Sequence, residues 1–197
     1  MFESLFAYFL NNINYLSIFI LMTIESSFIP FPSEVVMIPA GYLVSTGKLN
    51  IFIVIFFGIL GSIAGAVVNY VIGKYLGREI ILKHKKFLFI NEKHLSTTEN
   101  YFKKNGVKTT FIGRLIPVVR QYISLPAGFA NMHFGKFVLF TGLGAGIWTT
   151  FLTILGYSVG QSAAQSIVHT LNIILVFIVV VVIGVFAFYK ISKANKH

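Results

Sequence analysis

Cysteine and aspartate are both absent from this 197-residue chain, and charged residues of any kind are scarce. Without cysteine the chain forms no disulfide and offers no thiolate to a metal ion. Only 11% of the residues are charged, whereas 56% are hydrophobic and the mean hydropathy is +0.81. A water-soluble domain of this length needs about twice that charged fraction to cover its surface. The composition therefore predicts one domain whose main solvent is lipid.

The charged residues are mostly basic and give a formal net charge of +10. In membrane proteins lysine and arginine collect in the loops that stay in the cytoplasm. The densest group lies between Lys74 and Lys108, and more lysines follow in the C-terminal tail. We therefore expect the 74–107 loop and the C-terminus to be cytoplasmic, and we expect no nucleic-acid partner. The stretch Asn91–Asn105, closed by Gly106, predicts either a membrane-surface helix or an ordinary solvated loop helix.

Long uncharged stretches predict the membrane-spanning helices, since about 20 apolar residues cross a bilayer as a helix. We predict transmembrane helices at 49–73, 135–160 and 168–190. The N-terminal stretch 4–24 carries three asparagines, so it either spans or lies at the interface, and spanning is favoured. Residues Met1–Leu10 include no basic residue and precede no small-residue cleavage site, so we expect no cleaved signal peptide.

All five prolines fall in the two remaining apolar stretches, a first segment at 25–47 and a second segment at 108–133. They are Pro30, Pro32, Pro39, Pro117 and Pro126. Proline inside a helix removes a backbone donor and kinks or breaks the helix, so neither segment is expected to be a straight span. Lysines flank the second segment and two spans follow it, so it must enter and leave on the cytoplasmic side. We therefore predict two re-entrant hairpins, which are tolerated when buried in protein or lining a wet cavity.

The two segments also resemble each other. In both, an Ile-Pro pair precedes a Pro-Ala-Gly triplet by nine positions, and the triplets end at Gly41 and Gly128, which are expected to free the backbone at the hairpin exits. Further on, Tyr70-Val-Ile-Gly73 echoes Thr153-Ile-Leu-Gly156. The predicted fold is an all-α integral membrane protein, an inverted repeat of re-entrant hairpin plus transmembrane helix with flanking transmembrane helices. Chance matching of proline and glycine is the alternative.

Four charged residues lie inside these apolar segments, with Glu25 and Glu34 in the first and Arg114 and Arg120 in the second. An isolated charge near the bilayer centre costs roughly 2.5–3.5 kcal/mol on insertion scales, so we expect pairing, access to water, or both. If the tips meet, carboxylates and guanidiniums neutralise each other in one cavity. The guanidinium of arginine is planar, matches the oxygens of a phosphate and stays charged when buried. These properties favour substrate binding by the two arginines. A buried ion-pair network that only joins the halves is the alternative.

The two glutamates carry a further hypothesis. A carboxylate whose arginine partner alternates between it and a substrate can exchange a proton, so Glu25 or Glu34 is a candidate for proton coupling. This predicts that transport responds to the proton gradient and that a Glu→Gln change abolishes the coupling. The five histidines show no ligand spacing, so we expect no metal and no cofactor.

These residues resemble the DedA family, whose members carry the SNARE-associated Golgi or VTT domain. The resemblance covers roughly residues 20–160. It lies in Glu25-Ser-Ser-Phe-Ile-Pro30-Phe-Pro32-Ser-Glu34, in the Gly61–Gly77 glycine series with Tyr70, and in Phe111-Ile-Gly-Arg114-Leu-Ile-Pro117-Val-Val-Arg120 leading to Pro126-Ala-Gly128. It implies a plasma-membrane protein with two opposed re-entrant hairpins that translocates lipid. Bacterial members recycle undecaprenyl phosphate or flip phospholipids such as phosphatidylethanolamine.

The resemblance also implies that the acids of the first segment and the arginines of the second are required, here Glu25, Glu34, Arg114 and Arg120. The chain departs from the family pattern in two ways. Ser33 replaces a frequent glycine before the second acid, and the chain has no aspartate, with no counterpart to an acidic site that some members carry after the first hairpin. The second departure weakens the case for proton coupling.

Four functional classes follow from these patterns. We expect a translocase for a phosphate-bearing membrane lipid, working in the bilayer and not as an enzyme. A proton-coupled carrier of small ions would use the same charges without lipid. An intramembrane enzyme such as a lipid phosphatase would need a nucleophile or base near the arginines, and the second segment offers no histidine there. A scaffold with purely structural charges is the fourth class, and a homo-oligomer stays an open alternative.

Overall fold

The computed structural model describes residues 12–27, 32–77, 92–116 and 119–159, together with residue 170. Over these residues the chain is helical and contains no strand, which confirms the all-α prediction for this part. The helices are α1 (Tyr15–Glu25), α2 (Glu34–Ser45), α3 (Ile51–Ile72), α4 (Glu92–Leu115), α5 (Val119–Tyr122), α6 (Ser124–Phe129) and α7 (Phe134–Ser158). A π-helical turn, Gly73–Gly77, extends α3. The predicted span at 168–190 lies outside the described residues.

Two helices are long and apolar enough to cross a bilayer. Ile51–Tyr75 and Phe134–Ser158 each have 25 residues, or roughly 37 Å at 1.5 Å per residue. Only 33% of the most apolar window of each is buried inside the protein, unlike the core helix of a soluble domain. Large apolar side chains such as Phe52 (78% exposed) and Leu139 (58% exposed) point away from the protein. Lipid is the solvent that accommodates such surfaces.

The predicted helix at 4–24 does not run unbroken through its described part. Asn14 has an extended backbone (φ −139°) and caps α1, because its side chain accepts from Ser17 N–H while the Ser17 hydroxyl accepts from Asn14 N–H. Such a capping box satisfies two backbone donors that a helix N-terminus otherwise leaves free. Asn14 therefore marks the start of α1, whereas the sequence predicts one helix over 4–24.

The expected end of a helix at Gly106 is also wrong. Helix α4 continues through Gly106 to Leu115, so part of the predicted 74–107 loop and the start of the second segment belong to one helix. Glycine inside a helix costs about 1 kcal/mol, yet here its lack of a side chain lets Met132 pack close by, with Met132 Sδ 3.3 Å from where a Cβ would lie. Tertiary packing overrides the local signal.

Proline also breaks less than expected. Pro39 lies inside α2, and Pro126 lies in the first turn of α6, where its missing N–H is not needed. Both segments nevertheless lack a straight span, since the described helices α2 and α6 are short and follow separate elements. Pro30 and Pro117, the other prolines predicted to shape the hairpins, lie outside the described residues, and Pro32 lies just before α2.

Helix α2 packs tightly against α7 through two glycines. A Cβ added at Gly41 of α2 would clash with the carbonyl of Thr153, and one added at Gly156 of α7 would clash with the carbonyl of Ile38. Close backbone approach of this kind is what small residues provide between helices in lipid.

Helix α6 packs against the end of α3 in the same way. A Cβ at Gly128 of α6 would clash with the carbonyl of Tyr70, and one at Gly73 would clash with the carbonyl of Leu125. The two contacts use matching sequence motifs. In each, the glycine of a Pro-Ala-Gly triplet faces the first residue of a four-residue motif that ends in glycine: Gly41 faces Thr153, and Gly128 faces Tyr70. Each half of the chain thus places its short helix on the long helix of the other half.

Candidate functional site

The structure brings one acid of the first segment against one arginine of the second. Glu25 is the last residue of α1 and Arg120 lies in α5, and their Oε1 and Nη2 atoms are 2.7 Å apart. The two side chains are only 3% and 9% exposed. The other carboxylate oxygen of Glu25 accepts from the Ser26 hydroxyl at 2.8 Å. The pair therefore joins the two segments inside the protein, where each charge needs the other.

Ser33 and Trp148 hold the arginine from its other sides. Arg120 Nη2 donates to Ser33 Oγ at 2.6 Å, and Trp148 Nε1 donates to the same oxygen at 3.2 Å. The Arg120 guanidinium also lies over the Trp148 ring, 5.0 Å from its centroid, which is a favourable cation–π distance. The serine that replaces a frequent family glycine is therefore an acceptor shared by two donors. Its position between Pro32 and Glu34 gave no sign of this.

Arg114 is the second buried guanidinium, and its environment differs. It lies at the end of α4, is 3% exposed, and donates from Nη2 to Ser124 Oγ at 2.9 Å. Among the described residues no carboxylate lies within ion-pair distance of it, and its Nε has no hydrogen-bond partner. Gly144 of α7 makes room for it, because a Cβ there would come within 2.6 Å of Arg114 Cβ. The site therefore holds one neutralised and one unneutralised arginine.

Asn69 of α3 ties the two segments together next to the ion pair. Its Nδ2 donates to the carbonyl of Ser26 at 3.1 Å and to the carbonyl of Gln121 at 3.2 Å. These carbonyls belong to the residues that directly follow Glu25 and Arg120. Asn69 is 1% exposed, and its Oδ1 has no partner in the described part of the chain. Sequence reasoning missed this residue; the available signal was a carboxamide near the C-terminal end of an apolar span.

The remaining predicted residues are distributed around this centre. Glu34 is the first residue of α2 and is half-buried; it forms no ion pair with a described residue, but it lies close enough to Glu25 for electrostatic interaction. The predicted hairpin-shaping residues Pro39 and Gly41 lie in α2, and Pro126 and Gly128 lie in α6. The structure thus brings together Glu25 and Arg120, and leaves Arg114 and Glu34 without a direct charged partner among the described residues.

This arrangement is suited to binding an anion. Glu25 pairs with the Arg120 guanidinium, whereas the Arg114 guanidinium has no carboxylate within ion-pair distance among the described residues. A guanidinium presents its N–H donors in a flat fork that matches two oxygens of a phosphate or carboxylate. An anion that reaches Arg114 can accept a hydrogen bond from its Nε–H, for which the described residues provide no acceptor. Lipid-facing helices around a buried arginine–glutamate centre define the class as a helical integral membrane protein with charged residues in its interior.

Comparison with known proteins agrees with this class. Residues 31–158 match the VTT domain, which is more than half of the chain. The chain belongs to the VTT-domain (DedA) family, as the sequence resemblance implied. No solved structure matches the chain.

Three relatives show what the family contains. Undecaprenyl phosphate transporter A of Bacillus subtilis (strain 168) is 36% identical over 92% of this chain and 90% of its own length. An alkaline phosphatase-like protein of Lactococcus lactis subsp. lactis (strain IL1403) is 34% identical over 78% of this chain and 74% of its own. Protein DedA of Escherichia coli (strain K12) is 28% identical over 85% and 77%, respectively.

Proposed function

We propose that this protein is a translocase, or flippase, for a membrane lipid that carries a phosphate, either undecaprenyl phosphate or a phospholipid such as phosphatidylethanolamine. The observation that carries the proposal is Arg114, a buried guanidinium with an unused Nε–H and no carboxylate partner among the described residues. A relative named as an undecaprenyl phosphate transporter, aligned over most of both chains, supports the same substrate class.

The mechanism follows from the unequal surroundings of the two arginines. The lipid phosphate binds Arg114 first, since that guanidinium has donors to offer. It then competes with Glu25 for Arg120, whose Nε–H is also unused. The lipid chains stay in the bilayer while the headgroup crosses between the segments. Glu25, released from Arg120, takes up a proton, and Glu34 stands beside it as a second acceptor; this step is the proton-coupling part of the proposal.

The glycine contacts support alternating access by an inverted repeat. The pair Gly41–Thr153 and the pair Gly128–Tyr70 occupy matching places in the two halves, as a pseudo-two-fold relation between the halves requires. In transporters built this way the substrate site lies between the repeats, and the halves rock around it. The ion pair Glu25–Arg120 lies where the two segments meet. On this proposal the segments are re-entrant hairpins from opposite faces of a multi-pass plasma-membrane protein with the 74–107 loop and the C-terminus in the cytoplasm.

A proton-coupled carrier of small anions is the second candidate. It is favoured by the closed state of the site, since both arginines are less than a tenth exposed. A lipid carrier must open sideways to the bilayer, whereas an ion carrier stays closed to it. An enzyme is a weaker candidate. One relative is named alkaline phosphatase-like, but the Ser124 hydroxyl is the hydrogen-bond partner of Arg114 among the described residues, and none of them accepts a hydrogen bond from that hydroxyl as a general base would.

Reconstitution in liposomes tests the proposal. Headgroup exposure is followed for labelled undecaprenyl phosphate and labelled phosphatidylethanolamine, with wild type, Arg114→Gln and Arg120→Gln. Loss of one buried charged hydrogen-bonding group is worth about 2 kcal/mol or more, so each variant should translocate at least tenfold more slowly. Lys136→Gln, a change at an exposed lysine in the first turn of α7, is the matched control and should behave as wild type.

The outcomes separate the candidates. Equal rates for wild type and both arginine variants with both lipids would defeat the translocase proposal. Arginine-dependent uptake of inorganic phosphate without lipid movement would instead establish the small-anion carrier.

A further inference from the structure

A groove runs along the outer face of α4, away from the ion-pair centre. It has a volume of about 410 Å³ and lies between α4 and the beginning of the second segment's short helices. We call it the α4 groove; its main lining residues are Tyr101, Asn105, Lys108, Ile112, Val119 and Ile123. Neither the ion pair nor Asn69 takes part in it, so the proposed translocation site does not account for it.

The lining changes from polar to apolar along one face of α4. Tyr101, Asn105 and Lys108 lie at one end, and Ile112 and Ile116 continue at helical spacing toward the other. From Lys108 to Ile116 the helix rises roughly 12 Å, at 1.5 Å per residue. The apolar end is open sideways, since Ile112 is 56% and Ile116 is 46% exposed. An amphiphile with a polar head and an apolar chain matches this gradient.

The positive charge of Lys108 at the polar end of the groove favours an anionic headgroup. Lys108 is exposed and has no ion-pair partner within the described ranges. The Asn105 side chain and the Tyr101 ring, both exposed, flank it in the groove. An ammonium beside neutral hydrogen-bonding groups is complementary to a phosphate, which accepts several hydrogen bonds and carries the opposite charge. A peptide or a neutral lipid would leave that cation without a counter-charge.

The orientation of the groove matches a lipid of the cytoplasmic leaflet. Lys108 closes the basic stretch that the charge distribution places in the cytoplasm. The isoleucines then extend into the apolar second segment, as lipid chains extend from headgroups into the bilayer. We propose that the α4 groove is a docking site for a phosphate-bearing lipid of net negative charge in the cytoplasmic leaflet, with its phosphate at Lys108 and a chain along Ile112 and Ile116.

The groove is backed by the arginine-bearing backbone. Gly113 and Val119 line it, and the next residue after each, Arg114 or Arg120, is buried on the inner side. A Cβ at Gly113 would come within 2.8 Å of Ile123 Cγ1, so glycine allows α4 to lie close to Ile123 at this side of the groove. Resting on the proposed function, the groove holds the lipid one wall away from the internal anion site.

The absence of cysteine allows a direct test in the full chain. Ile112→Cys is labelled with an environment-sensitive fluorophore and reconstituted in phosphatidylcholine vesicles. Quenching is compared between equal fractions of brominated phosphatidic acid and brominated phosphatidylcholine. Preferential quenching by phosphatidic acid is expected, and adding Lys108→Gln should reduce the preference about fivefold, the effect of one basic side chain on anionic lipid. Leu139→Cys on the lipid-facing side of α7 is the control label and should show no preference.

The result is independent of translocation. Arg114→Gln should stop lipid movement and leave the phosphatidic acid preference at Ile112→Cys unchanged. Equal quenching by the two lipids, or a preference that Lys108→Gln leaves unchanged, would overturn the docking site while leaving the translocase proposal intact. A preference that disappears with Lys136→Gln as well would also overturn it, since general surface charge would then explain the effect.

Discussion

Replacing Asn69 by leucine tests whether this side chain positions the ion pair. Leucine has a similar size and suits the apolar surroundings of α3, so packing changes little. The change removes the two donors that hold the carbonyls of Ser26 and Gln121, at 3.1 and 3.2 Å. Because these carbonyls follow Glu25 and Arg120 in the chain, their release also loosens the two charged residues.

The magnitude follows from the two lost hydrogen bonds. A buried carbonyl left without its partner costs about 1–3 kcal/mol, and one of these two bonds is fully buried while the other is partly buried. The Asn69 Oδ1 has no partner among the described residues, so its removal recovers part of a desolvation penalty. We expect Asn69→Leu to lower the free energy of unfolding by about 2–4 kcal/mol. Asn69→Asp should lower it further, since a carboxylate would face two carbonyl oxygens.

The assay is the free energy of unfolding in detergent micelles, measured by titration with a denaturing detergent and followed by circular dichroism. Asn50→Ala is the matched control, an asparagine on the same helix whose side chain caps α3 by accepting from Phe52 N–H and Ile53 N–H. Its loss should cost about 1 kcal/mol. In a double-mutant cycle with Glu25→Gln, Asn69→Leu should couple by 0.5 kcal/mol or more, whereas Asn50→Ala should be additive.

Two results would refute this reasoning. If Asn69→Leu costs no more unfolding free energy than Asn50→Ala, then the carbonyls of Ser26 and Gln121 find other hydrogen-bond partners. Additivity of Asn69→Leu with Glu25→Gln would mean that the amide stabilises the fold without positioning the ion pair.

Two further predictions concern the packing and the pair itself. Gly41→Ala and Gly128→Ala should each destabilise the protein by more than about 2 kcal/mol, because each new Cβ meets a backbone carbonyl. Gly135→Ala is the control and should cost less than about 1 kcal/mol, because the neighbouring His133 side chain can move. A small effect at Gly41 or Gly128 would count against the close helix contacts. Glu25→Gln and Arg120→Gln should each cost about 3–5 kcal/mol in unfolding free energy, and the double variant should cost less than their sum; strict additivity would show that the pair is not formed in the membrane-embedded protein.

The composition and the charge positions indicated much of the centre before the structure. Charges inside proline-rich apolar segments are too costly to leave isolated, so contact between an acid and an arginine was predictable. The pairing of Glu25 with Arg120, and not Arg114, depends on where α1 ends and α5 begins, which no local pattern records. The roles of these residues in substrate binding and proton coupling stay predictions.

The features that sequence reasoning missed have a common cause. Gly106 and Pro39 are helix breakers in isolation, but tertiary packing keeps both inside helices. Asn69 and Trp148 look like ordinary members of apolar spans, because hydrogen bonds to carbonyls and hydroxyls from distant segments exist only once the helices have assembled. Local propensity therefore located the elements, while the partners across the centre required the fold.

Recognition of the phosphate by Arg114 is the central claim, and comparing a lipid with and without its phosphate tests it most directly. The protein-dependent rate of translocation is measured in liposomes for labelled undecaprenyl phosphate and for labelled undecaprenol. Wild type should move the phosphate lipid at least tenfold faster than the alcohol, and Arg114→Gln should remove that difference. A wild-type protein that moves both lipids equally, or an Arg114→Gln variant that keeps the preference, would contradict the account.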